Sequence, residues 1–150
     1  MIYYFAYGSN MNPKRMANRV GDFEILGLGT LKDHELRFNK IARNKDGIGY
    51  ANISPSYDKK VEGIIYRFQN ITLLDKSEGY PIHYNRKIME ILHNGNRLET
   101  WVYFAQENQI SNSLFPERNY LEHLLCGKDY LSEGYFKQLE GVKVIEDMSK

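Results

Sequence analysis

The chain has 150 residues, 42% of them hydrophobic and 26% charged, a composition that supplies a packed core and excludes intrinsic disorder. Twenty Lys and Arg stand against nineteen Asp and Glu, so the formal charge of +1 leaves no overall field to hold a nucleic acid or an anionic membrane. One domain over residues 1–150 is expected in the cytoplasm: the apolar start Met1 to Gly8 is too short for a signal segment, no apolar run reaches the ~20 residues of a membrane span, and the lone Cys126 cannot close an internal disulfide.

Ile2 to Ala6 is aromatic and β-favouring and stops at Gly8-Ser9-Asn10, residues suited to a turn. Asn12 then serves as the cap of a short helix running to Val20, with Pro13 at the first position, where its missing N–H is harmless. Phe23 to Leu31, Leu36 to Asn39, Ile48 to Ile53 and Val61 to Phe68 read as separate strands, divided by charged or Gly/Pro-containing breaks. Ile71 to Gly79 has helical apolar spacing and ends in Gly-Tyr-Pro, a stop signal. Tyr84 to Leu92 and Arg97 to Ala105 read as a hairpin turning on Asn94-Gly95. After the polar stretch Gln106 to Ser113, helices are expected over Glu117 to Cys126 and Ser132 to Leu139, with Gly127 as the stop between them. This order predicts an α+β domain whose strands curl into a small barrel or a strongly twisted sheet.

Several signals lead nowhere. Gly27-Leu28-Gly29 lacks the third glycine of a dinucleotide loop, since Lys32 stands there, and His34-Glu35 lacks the second histidine of a zinc helix, since Phe38 stands in its place. His123 and Cys126 fit one helical face without further convergent ligands, so Cys126 is expected to pack in the helix and no metal is expected. Asp75 and Glu78, three apart, fit a solvated acidic face at least as well as a catalytic pair. Twelve tyrosines are unusual, because each buried hydroxyl needs a partner, and some are expected to line a pocket.

Tyr7-Gly8-Ser9-Asn10-Met11 is a strand end turning toward a helix, a place where successive amides form an anion-binding nest and where Gly8 admits a close ligand. Alone it is a plain turn. Together with Leu74-Asp75-Lys76-Ser77-Glu78-Gly79, Tyr84, the strand pair Gly49 to Pro55 and Val61 to Tyr66, Val102-Tyr103-Phe104 and the later Pro116, Tyr120, Gly127 and Tyr135, the segment Phe5 to Met11 resembles the γ-glutamylcyclotransferase family, in the family's order and over nearly the whole chain. The resemblance implies a small mixed β-barrel of about five to seven strands flanked by short helices. It further implies Glu78 as the catalytic residue, a substrate-binding loop formed by Tyr4, Phe5, Ala6, Tyr7, Gly8, Ser9, Asn10 and Met11, and pocket tyrosines at Tyr84, Tyr103 and Tyr120.

The implied reaction forms 5-oxoproline when the α-amine of a γ-glutamyl group attacks its own γ-carbonyl and expels an amine. Nucleophile and electrophile share one molecule, so no cofactor is needed, and one carboxylate must move protons between two nitrogens. The implied partner is a small γ-glutamyl substrate, with neither nucleic acid nor membrane; a homodimer stays open. Tyr80-Pro81 directly after Glu78-Gly79 departs from the animal enzymes and leaves the released group open among an amino acid, an alkylamine and an antibiotic amine. A non-catalytic binding module on the same barrel is the alternative.

Overall fold

The computed structural model of the chain describes residues 1–148. Its first strand, β1 (Ile2–Ala6), sends alternate side chains to two environments, as a pleated strand must. Phe5 joins Leu31, Ile53, Ile65, Ile91 and Val102 in a cluster fed by every strand, which is the barrel interior. Tyr4 and Ala6 face a second cluster with Met16, Leu74, Leu121 and Leu139, where the helices cover the barrel's outside.

The strands that follow are longer than the sequence pattern suggests. β2 (Glu24–Ile41) and β3 (Gly49–Phe68) each run through a stretch read as a break. Pairing persists across it, from Lys32 opposite Lys60 to His34 opposite Pro55, and the surplus residues of β3 are taken up in a bulge. There the Asp58 amide donates to the Asp33 carboxylate at 3.0 Å. Charged residues interrupt the hydrophobic alternation without interrupting the backbone ladder, which is why two long strands look like four short ones.

β4 (Tyr84–His93) and β5 (Asn96–Ala105) pair antiparallel around the expected Asn94-Gly95 turn. The barrel closes in the order β1-β3-β2-β4-β5, and a parallel bridge from Tyr4 to Trp101 makes it mixed. Five strands therefore form the closed barrel.

Four α-helices flank it: α1 (Pro13–Val20), α2 (Ile71–Glu78), α3 (Arg118–Leu125) and α4 (Glu133–Glu140). Asn12 and Asn70 cap α1 and α2, each accepting from the amide two residues on. Ser132 caps α4, and its amide and hydroxyl donate to the buried Glu62 carboxylate at 2.8 and 2.6 Å, which docks the helix on β3. Cys126 is exposed rather than packed, because it lies past the last turn of α3, whose buried stripe is Leu121 and Leu124. Among the described residues no helix is long and apolar enough to cross a membrane.

Candidate active site

The chain leaves β1 through Tyr7 and Gly8 into a 3₁₀ turn, Ser9–Met11, and enters α1 directly. Gly8 has φ −112°, so a left-handed backbone is not its reason; the reason is close approach, since a Cβ there would lie 3.1 Å from Ala51 Cβ and 3.4 Å from the Tyr120 hydroxyl. Asn10, 2% exposed, is the hub of the turn. Its backbone carbonyl accepts from the Tyr66 hydroxyl at 2.6 Å and its Oδ1 accepts from Arg19 at 3.0 Å. Its Nδ2 donates to the Tyr4 hydroxyl at 3.0 Å and to Glu78 Oε1 at 3.3 Å.

Glu78 arrives from the other side as the last residue of α2. Gly79 stops that helix with φ +68°, a left-handed conformation that glycine adopts without penalty, and Tyr80 then bonds back to the Asp75 carbonyl at 3.0 Å. The helix is tied to β4 and β5 through Asp75. Arg86 grips this carboxylate with two bonds of 2.7 and 3.1 Å, the Tyr103 hydroxyl donates to it at 2.6 Å, and Arg86 itself lies between the rings of Tyr80 and Trp101. Asp75 is thus an anchored residue and not part of a solvated acidic face.

Two connected spaces meet at Glu78. The inner one is a chamber of about 30 Å³ walled by Tyr4, Tyr7, Gly8, Ser9, Asn10, Ala51, Glu78, Tyr84, Tyr103 and Tyr120. The outer one is a vestibule of about 510 Å³ that shares Ser9, Glu78, Tyr84 and Tyr120 with the chamber. Its wall adds Arg15, Arg19, Lys40, Arg43, Lys45 and Lys76. A groove of about 710 Å³ also lies beside α4, but the buried carboxylate there, Glu62, is occupied by the cap of that helix.

Burial drives the Glu78 carboxyl above the usual carboxylate range, and Arg19, Arg15 and Lys40 pull it back. Burial and the proximity of Glu78 push the hydroxyls of Tyr4 and Tyr7 up, so both stay protonated. Most tyrosine protons in the chamber are already committed. Tyr7 donates to the Tyr103 carbonyl at 2.7 Å, Tyr84 to the Ala51 carbonyl at 2.8 Å, and Tyr103 to Asp75. Tyr4 and Tyr120 instead accept, from Asn10 and from the Ala51 amide at 3.0 Å, and so keep a proton to give.

The residues expected to form the site divide in two. Tyr4, Tyr7, Gly8, Ser9, Asn10, Glu78, Tyr84, Tyr103 and Tyr120 come together around the chamber. Phe5, Ala6 and Met11 line neither space: Phe5 points into the barrel by the two-residue period, Ala6 packs against the helices, and Met11 lies fully buried in that same layer. Arg15, Arg19, Lys40 and Arg43 went unread as site residues. Arg15 and Arg19 had a signal, the one-turn spacing on the helix that follows the loop, and Arg15 does bond the Ser9 hydroxyl at 3.1 Å. Among the described residues no group of three or more His, Cys, Asp and Glu is arranged to hold a metal ion.

A small closed barrel with a half-buried carboxylate at the neck of a tyrosine-walled cavity has the make-up of a small-molecule site. A family match names the class: the chain belongs to the family whose model is described as "Gamma-glutamyl cyclotransferase, AIG2-like", matched over residues 4–122. Solved structures agree in fold. A γ-glutamyl cyclotransferase superposes with a TM-score of 0.88 at 22% identity, covering 99% of this chain and 92% of that one. A protein from Homo sapiens described as uncharacterized gives 0.86 at 23%, covering 95% and 88%. A yeast γ-glutamyl cyclotransferase described as specific to glutathione gives 0.64 at 13%, covering 92% and 93%. None of the curated proteins matches the sequence.

Proposed function

We propose that the protein cleaves a γ-glutamyl amide by intramolecular attack of the α-amine on the γ-carbonyl, releasing 5-oxoproline and a free amine, with Glu78 as general acid/base. The observation that carries this reading is the Glu78 carboxylate, raised in pKa by burial, at the junction of a small polar chamber and a larger vestibule. A chamber of about 30 Å³ has room for one small polar group, about the share of one liquid water, so the glutamyl chain lies in the vestibule with a single head group at the neck.

In the reaction, Glu78 takes a proton from the α-ammonium, and the freed nitrogen bonds the γ-carbon. The protonated Glu78 then gives that proton to the departing nitrogen, and the regenerated carboxylate takes the second proton from the attacking nitrogen as the C–N bond breaks. No water is consumed, and the amine leaves as an ammonium once the second proton reaches it. A carboxylate with its pKa lifted toward neutrality suits both directions of transfer. The hydroxyls of Tyr4 and Tyr120, together with the first amides of the 3₁₀ turn, are the donors available to the oxyanion or to the α-carboxylate.

The test is Glu78→Gln, which keeps shape and removes the titratable oxygen. Release of 5-oxoproline from γ-glutamyl donors is expected to fall by at least ~10²-fold, the lower end of what a general acid/base contributes. Near-normal turnover in a folded variant overturns the assignment. A binding module without catalysis would release no 5-oxoproline in the parent protein either.

A further inference from the structure

We infer that Lys40 is a covalent attachment site on the vestibule wall, where its amine forms an imine with a small carbonyl compound that carries an anionic group, a carboxylate or a phosphate; this goes beyond the cleavage reading and does not rest on it.

Lys40 lies near the end of β2 and is 3% exposed, yet it lines the vestibule of about 510 Å³. Its nitrogen has one oxygen partner, the Ile41 carbonyl at 2.5 Å, with the Tyr84 ring centroid 5.7 Å away. Among the described residues no ion pair joins it to a carboxylate. An ammonium has three protons to place, and a buried one without a counter-ion is costly. A neutral amine fits this setting better, since it gives one N–H to Ile41 and keeps a lone pair. Burial and the charge of Arg43 both hold the ammonium below the usual lysine range, and Glu78 opposes them only in part. Desolvation and a second cation nearby are the two settings that turn a lysine into a nucleophile.

The other lysines of the vestibule, Lys45 and Lys76, are placed differently. Lys45 is exposed and paired with Glu117 at 2.9 Å, which holds its ammonium above the usual range. Lys76 is exposed on α2, where water hydrates its ammonium. Arg15, Arg19 and Arg43 line the same space and stay protonated, so their part is to concentrate anions near the one buried amine.

The step balances without a further reagent. The lone pair of the neutral amine bonds the carbonyl carbon, and one N–H proton moves to the carbonyl oxygen to give a carbinolamine. The hydroxyl then leaves with the remaining N–H proton as water, and the C=N bond forms. Protonated, the imine nitrogen again has the one N–H that the Ile41 carbonyl accepts. The addition is reversible, so the site can release what it takes up.

The experiment treats the intact protein at neutral pH with glyoxylate, with pyridoxal phosphate or with acetaldehyde, traps imines with cyanoborohydride, and maps the labelled lysines by peptide mass spectrometry. For each aldehyde, labelling of Lys40 is divided by the mean for the exposed Lys14, Lys32 and Lys143, which cancels the aldehyde's own reactivity. For at least one of the two anionic aldehydes the ratio is expected to reach about ten or more, the lower end of what a focusing field adds to an encounter rate, and to exceed the ratio for acetaldehyde. The larger of the two anionic ratios tells carboxylate from phosphate. Lys40→Arg keeps the charge without the nucleophile and should abolish the fast phase of incorporation while leaving the slow one. Ratios of one or less with both anionic aldehydes overturn the inference, as does an equal ratio with acetaldehyde. Mapping on the parent protein decides this even should Lys40→Arg fail to fold. The readout is a peptide mass and not 5-oxoproline, so its failure leaves the cleavage reading intact.

Discussion

Replacing Tyr120 by Phe removes one oxygen and leaves the ring in place, stacked on Tyr50 at 4.9 Å and edge-on to Phe38 at 6.4 Å. The oxygen has two duties. It accepts from the Ala51 amide at 3.0 Å, at a residue that is 3% exposed and falls inside the register shift between Arg37 and Lys40. Losing it strands a buried backbone donor, at a cost of about 2 kcal/mol within the ~1–3 kcal/mol range for such groups. For a chain of this length that corresponds to a fall in Tm of about 4–8 °C. The second duty is the uncommitted hydroxyl proton facing the chamber and Glu78. Its loss should lower turnover by about tenfold or more if it serves the oxyanion. A thermal melt and a 5-oxoproline assay on the same preparation, the latter well below the transition, separate the two. An unchanged Tm would refute the Ala51 clasp, and a lowered Tm with unchanged turnover would leave Tyr120 a structural residue only.

Gly8→Val puts a Cβ 3.1 Å from Ala51 and two methyl groups into the chamber, so kcat/KM should fall at least about tenfold, and overpacking should cost ~1–3 kcal/mol of stability; a variant with parental kcat/KM would remove the loop from the site. Asp75→Asn loosens the Arg86 clamp and the Tyr103 bond, and a loss of about 1.5–3 kcal/mol is expected in denaturant melts, with Glu78-dependent turnover reduced but present. Turnover abolished without destabilisation would instead make Asp75 the acid/base. The raised pKa of Glu78 fixes two pH trends. The rate should rise with pH through a value above that of an ordinary glutamate, as the base deprotonates. Stability runs the other way: a carboxyl raised on folding contributes stability that is complete below its unfolded pKa, about 4.3, and lost as pH rises through the folded value. Glu78→Gln should therefore melt above the parent protein at pH 7, with the gap closing toward pH 4; a gap that widened on acidification would contradict the burial of this charge.

The elements most legible in the sequence were those whose signals are local. The Asn12-Pro13 cap, the Gly79 stop and the Asn94-Gly95 turn each act through their own backbone, and each stands where the pattern put it. The long β2–β3 ribbon was not legible, because its continuity through Lys32-Asp33-His34 and Ser56 to Lys60 comes from the partner strand and not from any residue's own preference. The same division holds in the cavity. The loop and Glu78 lie in contiguous motifs, whereas the basic wall gathers Arg15 and Arg19 from α1, Lys40 from the end of β2 and Arg43 from the loop beyond it. A chain whose charges sum to +1 gives no hint that six cations share one vestibule, since the sum is blind to where the fold brings them.

If Glu78 is the proton carrier proposed above, the Asn10 side chain biases which of its oxygens holds the proton. Arginine can only donate, so the Arg19 contact at 3.0 Å requires the amide oxygen of Asn10 on that side and turns its NH₂ toward Tyr4 and Glu78. Glu78 Oε1 is then an acceptor, which favours Oε2 as the oxygen that carries a proton. The arginine thereby acts twice, once through space by restraining the rise of the Glu78 pKa and once through the amide by favouring one oxygen for the proton. For a carboxylate proposed to collect from one nitrogen and deliver to another in a narrow neck, a preferred proton position narrows the geometries each transfer samples. A lysine at position 19 would keep the first effect in part, but its rotatable ammonium would hold the amide of Asn10 less firmly than a guanidinium does.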